Sequence, residues 1–150
     1  MLASGTVPED VVLEDHSGAE FTLSSTRGAP AVFFFYPKAN TPGCTTQACE
    51  FRDALPAFAD RDAVVFGISK DSLASHGKFV GKYDLTFPLL SDPDVAVHTA
   101  YGAFGEKTMY GKKVQGVLRT TVVIGPDGVV KAITRGVRAK GNAERTLALL

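Results

Sequence analysis

The chain has 150 residues, the length of one ordinary domain, and 45% of them are hydrophobic, enough for a core without disulfide staples or a structural metal. Its 16 Lys and Arg residues balance its 16 Asp and Glu residues, and no basic run is longer than Lys112 and Lys113. Because the positive surface of a nucleic-acid or anionic-membrane binder is missing, the composition favours partners that are small molecules or other proteins.

Neither the start of the chain nor its longest apolar stretch predicts secretion or membrane insertion. The first 15 residues lack the charged segment and the apolar run of a secretory signal. The longest apolar run, residues 29–36, is far below the roughly 20 residues of a membrane span. We therefore expect a cytoplasmic protein with one domain over residues 1–150, in which thiols stay reduced and a disulfide is transient.

The order of the predicted elements indicates an α/β protein. Strands are predicted where apolar or β-branched residues run together, and helices where apolar residues recur every three or four positions. In chain order the elements are a hairpin at 11–14 and 21–23, a strand at 31–36, a helix at 45–55, a strand at 63–69, a helix at 72–83, a strand at 87–90, a helix at 95–101, a glycine-rich loop at 102–116, an antiparallel hairpin of strands at 117–124 and 129–135, and a helix at 142–150. This pattern predicts a thioredoxin-like fold, with a mixed central β-sheet flanked by helices and an N-terminal β-hairpin extension.

Cys44 is one of only two cysteines, and it follows the first buried strand. A free cysteine is often just a small buried hydrophobe. Here, however, its neighbours are polar or turn-forming, and it lies at the carboxyl edge of the predicted sheet, where α/β folds place their ligand sites. Unpaired N–H groups at a helix start also favour a thiolate. We therefore expect Cys44 to be a nucleophile that solvent can reach.

Cys49, five residues later, cannot join Cys44 while the predicted helix is intact. In a helix this offset puts the two Cα atoms roughly 8 to 9 Å apart. A disulfide tolerates no more than about 7 Å between its Cα atoms. The spacing leaves two interpretations open: either the first helical turns unwind to let the sulfurs pair, or Cys49 is a packing residue that never meets Cys44.

Several stretches resemble one family, the peroxiredoxins. The octapeptide PKANTPGC at 37–44 fits the family pattern of Pro, three residues, Thr, two residues and Cys. The longer stretch TPGCTTQACEFRD is similar to the atypical two-cysteine subclass known as bacterioferritin comigratory protein or peroxiredoxin Q. The segments 91–113 and 116–128 also resemble that subclass, so the likeness covers most of the chain in order.

The resemblance implies a role for each matching residue. Cys44 corresponds to the peroxidatic cysteine, Cys49 to the resolving cysteine and Arg119 to the arginine of the peroxide pocket, while Thr41 and Pro37 are the other motif positions. Arg119 would hold both thiolate and peroxide, the Thr41 hydroxyl would stabilise charge on the departing oxygen, and Pro37 would shape the loop.

The resemblance also implies a catalytic cycle. Cys44 reduces hydrogen peroxide or an alkyl hydroperoxide and becomes a sulfenic acid, and Cys49 then condenses with it to an intramolecular disulfide. Thioredoxin or a similar dithiol reductant restores both thiols. The cycle requires no haem, flavin or metal, and we expect a monomer because both thiols lie in one chain.

The residues by themselves leave other interpretations open for two polar side chains. An arginine midway along a β-strand, as predicted for Arg119, is more often a solvated side chain. Among valines, however, a partly buried cation needs an anion, which a thiolate supplies. Gln47 is equally well explained as a residue that orders the loop before Cys44 or as a solvated helix residue.

Two other functions use the same thiol pair. A redox sensor would signal through the disulfide without turnover, and a protein disulfide oxidoreductase would reduce protein partners, although it would prefer Cys-x-x-Cys. His16, His76 and His98 lack metal-ligand spacing, and we interpret all three as surface residues.

Overall fold

The computed structural model describes residues 3–150 as a mixed sheet with helices against it. The strands are β1 Val12–Asp15, β2 Glu20–Thr22, β3 Ala31–Phe35, β4 Val64–Ser69, β5 Leu89–Ser91, β6 Phe104–Met109, β7 Lys112–Val117, β8 Thr120–Ile124 and β9 Val130–Arg135. The helices are a short 3-10 turn Leu23–Thr26, α1 Pro42–Ala59, α2 Leu73–Tyr83, α3 Ala96–Ala100 and α4 Asn142–Leu147. No helix within residues 3–150 is both long enough and apolar enough to cross a bilayer.

Strand β3 lies in the interior of the seven-stranded sheet, whose order is β2-β1-β5-β4-β3-β8-β9. It pairs in parallel with β4 and antiparallel with β8, and all five of its residues are buried. Because successive side chains point to opposite faces, Val32 and Phe34 join one core cluster, while Phe33 and Phe35 join the other. The apolar stretch predicted to be a doubly covered central strand is therefore confirmed.

The N-terminal hairpin is confirmed as well. Strands β1 and β2 pair antiparallel, and β1 continues the main sheet by pairing antiparallel with β5. At the opposite edge β8 and β9 form the predicted antiparallel hairpin around the turn at 125–128. The sheet therefore carries a hairpin at each edge and parallel strands in its middle.

The predicted glycine-rich loop at 102–116 is wrong, because most of it is a third hairpin, which forms a separate two-stranded sheet. Strands β6 and β7 pair antiparallel from Phe104 opposite Val117 to Met109 opposite Lys112. Tyr110 and Gly111 turn the chain with positive φ angles of 52° and 77°, the conformation of a tight hairpin turn. The prediction missed it because its side chains are mostly solvent-exposed, so the stretch carries no alternating apolar signal.

The strand predicted at 117–124 is interrupted. Strand β7 ends at Val117 and β8 begins at Thr120, with Leu118 and Arg119 between them. The Leu118 N–H donates to the carbonyl of Ala103 at 2.7 Å, and the Arg119 carbonyl accepts from the Val137 N–H at 3.0 Å. Arg119 is therefore a half-buried junction residue, and its predicted place midway along a strand is wrong.

Two of the three histidines are not surface residues. His76 and His98 are fully buried, whereas His16 is half-buried. The Nε2 atom of His76 lies 2.8 Å from the Ser69 hydroxyl, and the Nδ1 atom of His98 lies 2.6 Å from the carboxylate of Asp92. Polar partners in the interior make these sites possible, and a lone histidine in a sequence does not reveal such partners.

Helix α1 begins three residues earlier than predicted and also ends later. Thr41 caps it in an extended conformation and Pro42 occupies its first turn, where a missing N–H costs nothing. Pro56 lies inside the helix, which continues to Ala59. Cys44 therefore belongs to the first turn of an unbroken 18-residue helix, just beyond the carboxyl end of β3.

Candidate active site

The sulfur of Cys44 is enclosed by the chain segment that links β3 to α1. Only 2% of the residue is exposed, and it packs in the same core cluster as Tyr36, Ala39 and Ala48. The expectation of a thiol open to solvent is therefore wrong for this conformation. The reason is that the loop after β3 folds inward: the Ala39 N–H donates to the Asp71 carboxylate at 2.9 Å, which holds the loop over the first turn of α1.

The start of α1 supplies polarity to the enclosed sulfur. The Thr45 N–H closes the first turn on the carbonyl of Thr41 at 2.8 Å. By helix geometry, the N–H groups of Gly43 and Cys44 therefore have no partner within the helix. The positive end of the helix dipole therefore lies at this turn, beside the sulfur.

Arg119 brings a permanent cation to the same sulfur from the β7–β8 junction. Its Nη2 lies 3.5 Å from the Cys44 Sγ, and its Nη1 donates to the Oε1 of Gln47. Gly43 leaves room for this approach, since a Cβ atom there would lie 3.3 Å from Nη2, a tight contact. The structure thus joins two residues that are 75 positions apart in the chain.

Gln47 is a buried link between Arg119 and the C-terminal helix. It is fully buried, which excludes its interpretation as a solvated helix residue. Its Nε2 donates to the Oδ1 of Asn142 at 2.7 Å, and the Thr121 hydroxyl donates to the same oxygen at 3.0 Å. Sequence reasoning missed Asn142, because a polar residue at the start of a helix normally reads as a cap.

Thr41, Pro37 and Cys49 lie in or beside α1, and none of them makes a hydrogen bond to the Cys44 sulfur as Arg119 does. The Thr41 hydroxyl donates to the carbonyl of Lys38 at 2.8 Å, so its proton is already engaged inside the loop. Pro37 is half-buried at the beginning of that loop. Cys49 is half-buried further along α1, and because the helix between them is intact, both thiols are free.

A second polar cluster lies behind the loop. The Asp71 carboxylate accepts from the Ser69 hydroxyl at 2.6 Å as well as from the Ala39 N–H, and Ser69 also meets His76. Burial lowers the pKa of His76 and raises that of the neighbouring Tyr36 phenol, so both side chains are neutral near pH 7. Within residues 3–150, no group of three or more His, Cys, Asp or Glu side chains is arranged to hold a metal ion.

Comparison with known proteins identifies the chain. The model of the AhpC/TSA family matches residues 5–133. The chain belongs to this family. A putative peroxiredoxin of Mycobacterium tuberculosis is 45% identical over 144 residues, which cover 96% of this chain and 92% of the relative. The peroxiredoxin Bcp of Xanthomonas campestris is 41% identical over 141 residues, covering 94% of this chain and 88% of the relative.

Solved structures agree with the sequence relatives. A Cys-to-Ser mutant of the Xylella fastidiosa PrxQ superposes with a TM-score of 0.93 at 37% identity, covering 99% of this chain and 94% of that one. The Xanthomonas campestris bacterioferritin comigratory protein, studied for its alkyl peroxide reduction activity, superposes with a TM-score of 0.87 at 40% identity, covering 92% and 88%. The thioredoxin-like fold and the peroxiredoxin resemblance are thereby confirmed, and the chain is a thiol-dependent peroxidase.

Proposed function

We propose that Cys44 is the peroxidatic cysteine of this peroxidase and that Arg119 is its peroxide-binding cation. The observation that carries the proposal is the 3.5 Å contact between the Arg119 Nη2 and the Cys44 Sγ at the positive end of α1. The cation and the helix start both place positive charge beside the reacting sulfur. The same donors can hold a peroxide oxygen, so Arg119 contributes both to the nucleophile and to the position of its substrate.

The first step oxidises the sulfur. The Cys44 thiolate attacks one oxygen of hydrogen peroxide or an alkyl hydroperoxide, a sulfur–oxygen bond forms and the O–O bond breaks. The second oxygen leaves as water or an alcohol after taking a proton, and Cys44 becomes a sulfenic acid. Thr41 and Pro37 shape the loop that encloses this reaction, and the Thr41 oxygen is within the loop through its bond to the carbonyl of Lys38.

The second step uses Cys49. Its sulfur attacks the sulfenic sulfur of Cys44, the hydroxyl leaves as water, and an intramolecular disulfide remains. Because both residues lie in an intact helix, the first turns of α1 unwind before the sulfurs meet. Thioredoxin or a similar dithiol then reduces the disulfide by exchange. A monomer in a reducing compartment such as the cytoplasm suits this cycle, since both thiols belong to one chain and must be re-reduced.

Mass spectrometry after one equivalent of hydrogen peroxide tests the thiol assignment. We expect a loss of two hydrogens and a crosslink between the peptides of Cys44 and Cys49 within one chain. Cys44→Ser should abolish peroxide consumption, and full retained activity in that variant would disprove the proposal. Cys49→Ser should keep the first oxidation but lose thioredoxin-supported turnover. Multiple turnover of the wild type with thioredoxin separates this function from a redox sensor, which would stop after one oxidation.

A further inference from the structure

A buried amide, Asn142, lies behind the cation that contacts the reactive sulfur. Asn142 is 2% exposed at the start of α4, 95 positions from Gln47, to which its oxygen is bonded. That oxygen accepts two hydrogen bonds, from the Gln47 amide and from the Thr121 hydroxyl. The Asn142 Nδ2 faces the Thr146 hydroxyl at 3.4 Å, and this hydroxyl donates to the Asn142 carbonyl at 2.7 Å.

The chemistry of these groups allows only one orientation of the two amides. A guanidinium can only donate, so the Gln47 atom facing Arg119 must be oxygen. The Gln47 nitrogen then faces Asn142, which must present its own oxygen in return. The hydrogen bonds therefore run in one direction from Thr121 and Gln47 into Asn142, and this direction is what leaves the Gln47 oxygen available to Arg119.

We propose that Asn142 is a positioning residue for peroxide reduction, acting through Gln47 on Arg119. It rests on the proposed function, in which Arg119 holds peroxide at the Cys44 sulfur. Without an acceptor at position 142, the buried Gln47 nitrogen is left unpaired. The amide can avoid the free-energy cost of this unpaired donor only by turning over or moving away. Either change withdraws the oxygen that anchors one arm of the guanidinium, so Arg119 no longer stays fixed on the sulfur.

The same contact has a second consequence, because Gln47 lies between the two cysteines. Unwinding of residues 44–49 to form the disulfide must break the bond from Gln47 to Asn142. Loss of that bond should therefore slow oxidation of Cys44 without slowing closure of the disulfide. A general loss of stability would not divide the two steps in this way.

The experiment measures single-turnover oxidation of Cys44 by hydrogen peroxide in the Cys49→Ser background, where no disulfide can form. We expect Asn142→Leu to lower the second-order rate constant about tenfold, the effect of losing one buried hydrogen bond that positions a charged group. Asn142→Asp keeps an oxygen at the same place and should retain most of the rate. Disulfide closure, measured with Cys49 present, should be at least as fast in Asn142→Leu as in the wild type.

Thr146→Val is the matched control. It removes the hydroxyl on the other side of Asn142 and weakens α4 but leaves the bond from Gln47 to Asn142 in place. We expect a lower melting temperature and an unchanged oxidation rate. If Asn142→Leu does not fold, Asn142→Ala, which adds no bulk, makes the same comparison.

Three results would overturn the inference. They are a folded Asn142→Leu protein that is oxidised as fast as its Cys49→Ser parent, an Asn142→Asp protein as slow as Asn142→Leu, or a Thr146→Val protein as slow as Asn142→Leu. Failure of the proposed function has a different signature. In that case Cys44 of the Cys49→Ser parent would itself not react with peroxide, which would refute the proposed function and the inference with it.

Discussion

The contact between Arg119 and Cys44 depends on the shape of the guanidinium and on the lack of a side chain at Gly43. A guanidinium presents a planar fork of donors, and here one arm meets Gln47 while the other meets the sulfur. A lysine has a single ammonium and could not make both contacts in fixed geometry. A side chain on the residue before Cys44 would crowd this contact, because a Cβ at Gly43 would lie 3.3 Å from the Nη2 atom and Arg119 would have to shift slightly.

Gly43→Ala should therefore slow the enzyme without unfolding it. Gly43 has no positive φ, so alanine fits the helical backbone, but its methyl group displaces Arg119 by a fraction of an ångström. Misplacement of a catalytic group on this scale costs on the order of tenfold in rate. Stopped-flow measurement of Cys44 oxidation should show this decrease, with a melting temperature no lower than that of the wild type.

Gly77→Ala is the control for this substitution. Gly77 lies in α2, and nothing lies within 4 Å of the position its Cβ would take. Alanine there should raise the free energy of unfolding by up to about 1 kcal/mol and leave the oxidation rate unchanged. A Gly43→Ala protein that reacted as fast as Gly77→Ala would show that the space beside Arg119 is not needed.

At the scale of single residues, the sequence identifies those functional residues that a local pattern or a family resemblance marks. Cys44 was marked by its place after a buried strand, and Arg119 by resemblance. The sequence leaves the role of Gln47 open and does not single out Asn142, because the significance of both comes from partners 72 and 95 positions away. His76 was misread for the same reason: a buried histidine is recognisable only when its hydroxyl partner is known.

At the scale of elements, α1 is the part that must change during the proposed cycle. It is one continuous helix across both cysteines, and its first turn is fixed by the cap at Thr41 and by the loop bond from Ala39 to Asp71. Further along, the carboxylate of Glu50 accepts the Gly141 N–H at 2.9 Å. Between these attachments lie residues 42–49, which we expect to unwind locally, and the bond from Gln47 to Asn142 must break when they do.

Formation of the disulfide should raise amide hydrogen exchange in residues 42–49. The helix must lose its hydrogen bonds there to bring the two Cα atoms within disulfide range. Exchange measured by mass spectrometry should increase in the peroxide-treated wild type but not in peroxide-treated Cys49→Ser, while α2 serves as an internal reference. An oxidised wild type with unchanged protection in α1 would contradict the unwinding step.

The elements themselves were predicted to different degrees, for physical reasons. Core strands such as β3 are recognisable because burial on both faces forces a continuous apolar run. The hairpin of β6 and β7 buries little on either face, so its sequence has no alternating apolar pattern and indicates only a loop. The break at Leu118 and Arg119 was hidden, because the β-branched residues on both sides continue the pattern of one strand.

At the scale of the whole molecule, a network of buried polar groups connects the sheet, a helix and the active-site loop. Asp71 and Ser69 connect the end of β4 with the loop before Cys44, and His76 joins them from α2. Such a network is stabilising only while every member stays in the protonation state that its partners require. Because His76 is buried in its neutral form, its protonation at low pH would disrupt this network.

Global stability should therefore fall as the pH drops below about 6.5, in part through His76. Burial lowers the pKa of His76 in the folded protein, whereas in the unfolded chain it is near 6.5. Between these two values the unfolded chain binds a proton that the folded protein does not, so acid favours unfolding by up to about 1.4 kcal/mol per pH unit. The contribution is fully present above pH 6.5 and is lost towards acid.

Urea unfolding of the wild type and His76→Gln between pH 8 and pH 5 isolates this contribution. At pH 8 the histidine is neutral in both states, so the difference between the two proteins reports only the lost packing and the altered bond to Ser69. Towards pH 5 the wild type should lose stability faster, because only it carries the buried imidazole, and the difference should shrink. A difference that stays constant across this range would mean that His76 is protonated equally in the folded and unfolded states, and the buried network would then play no part in acid sensitivity.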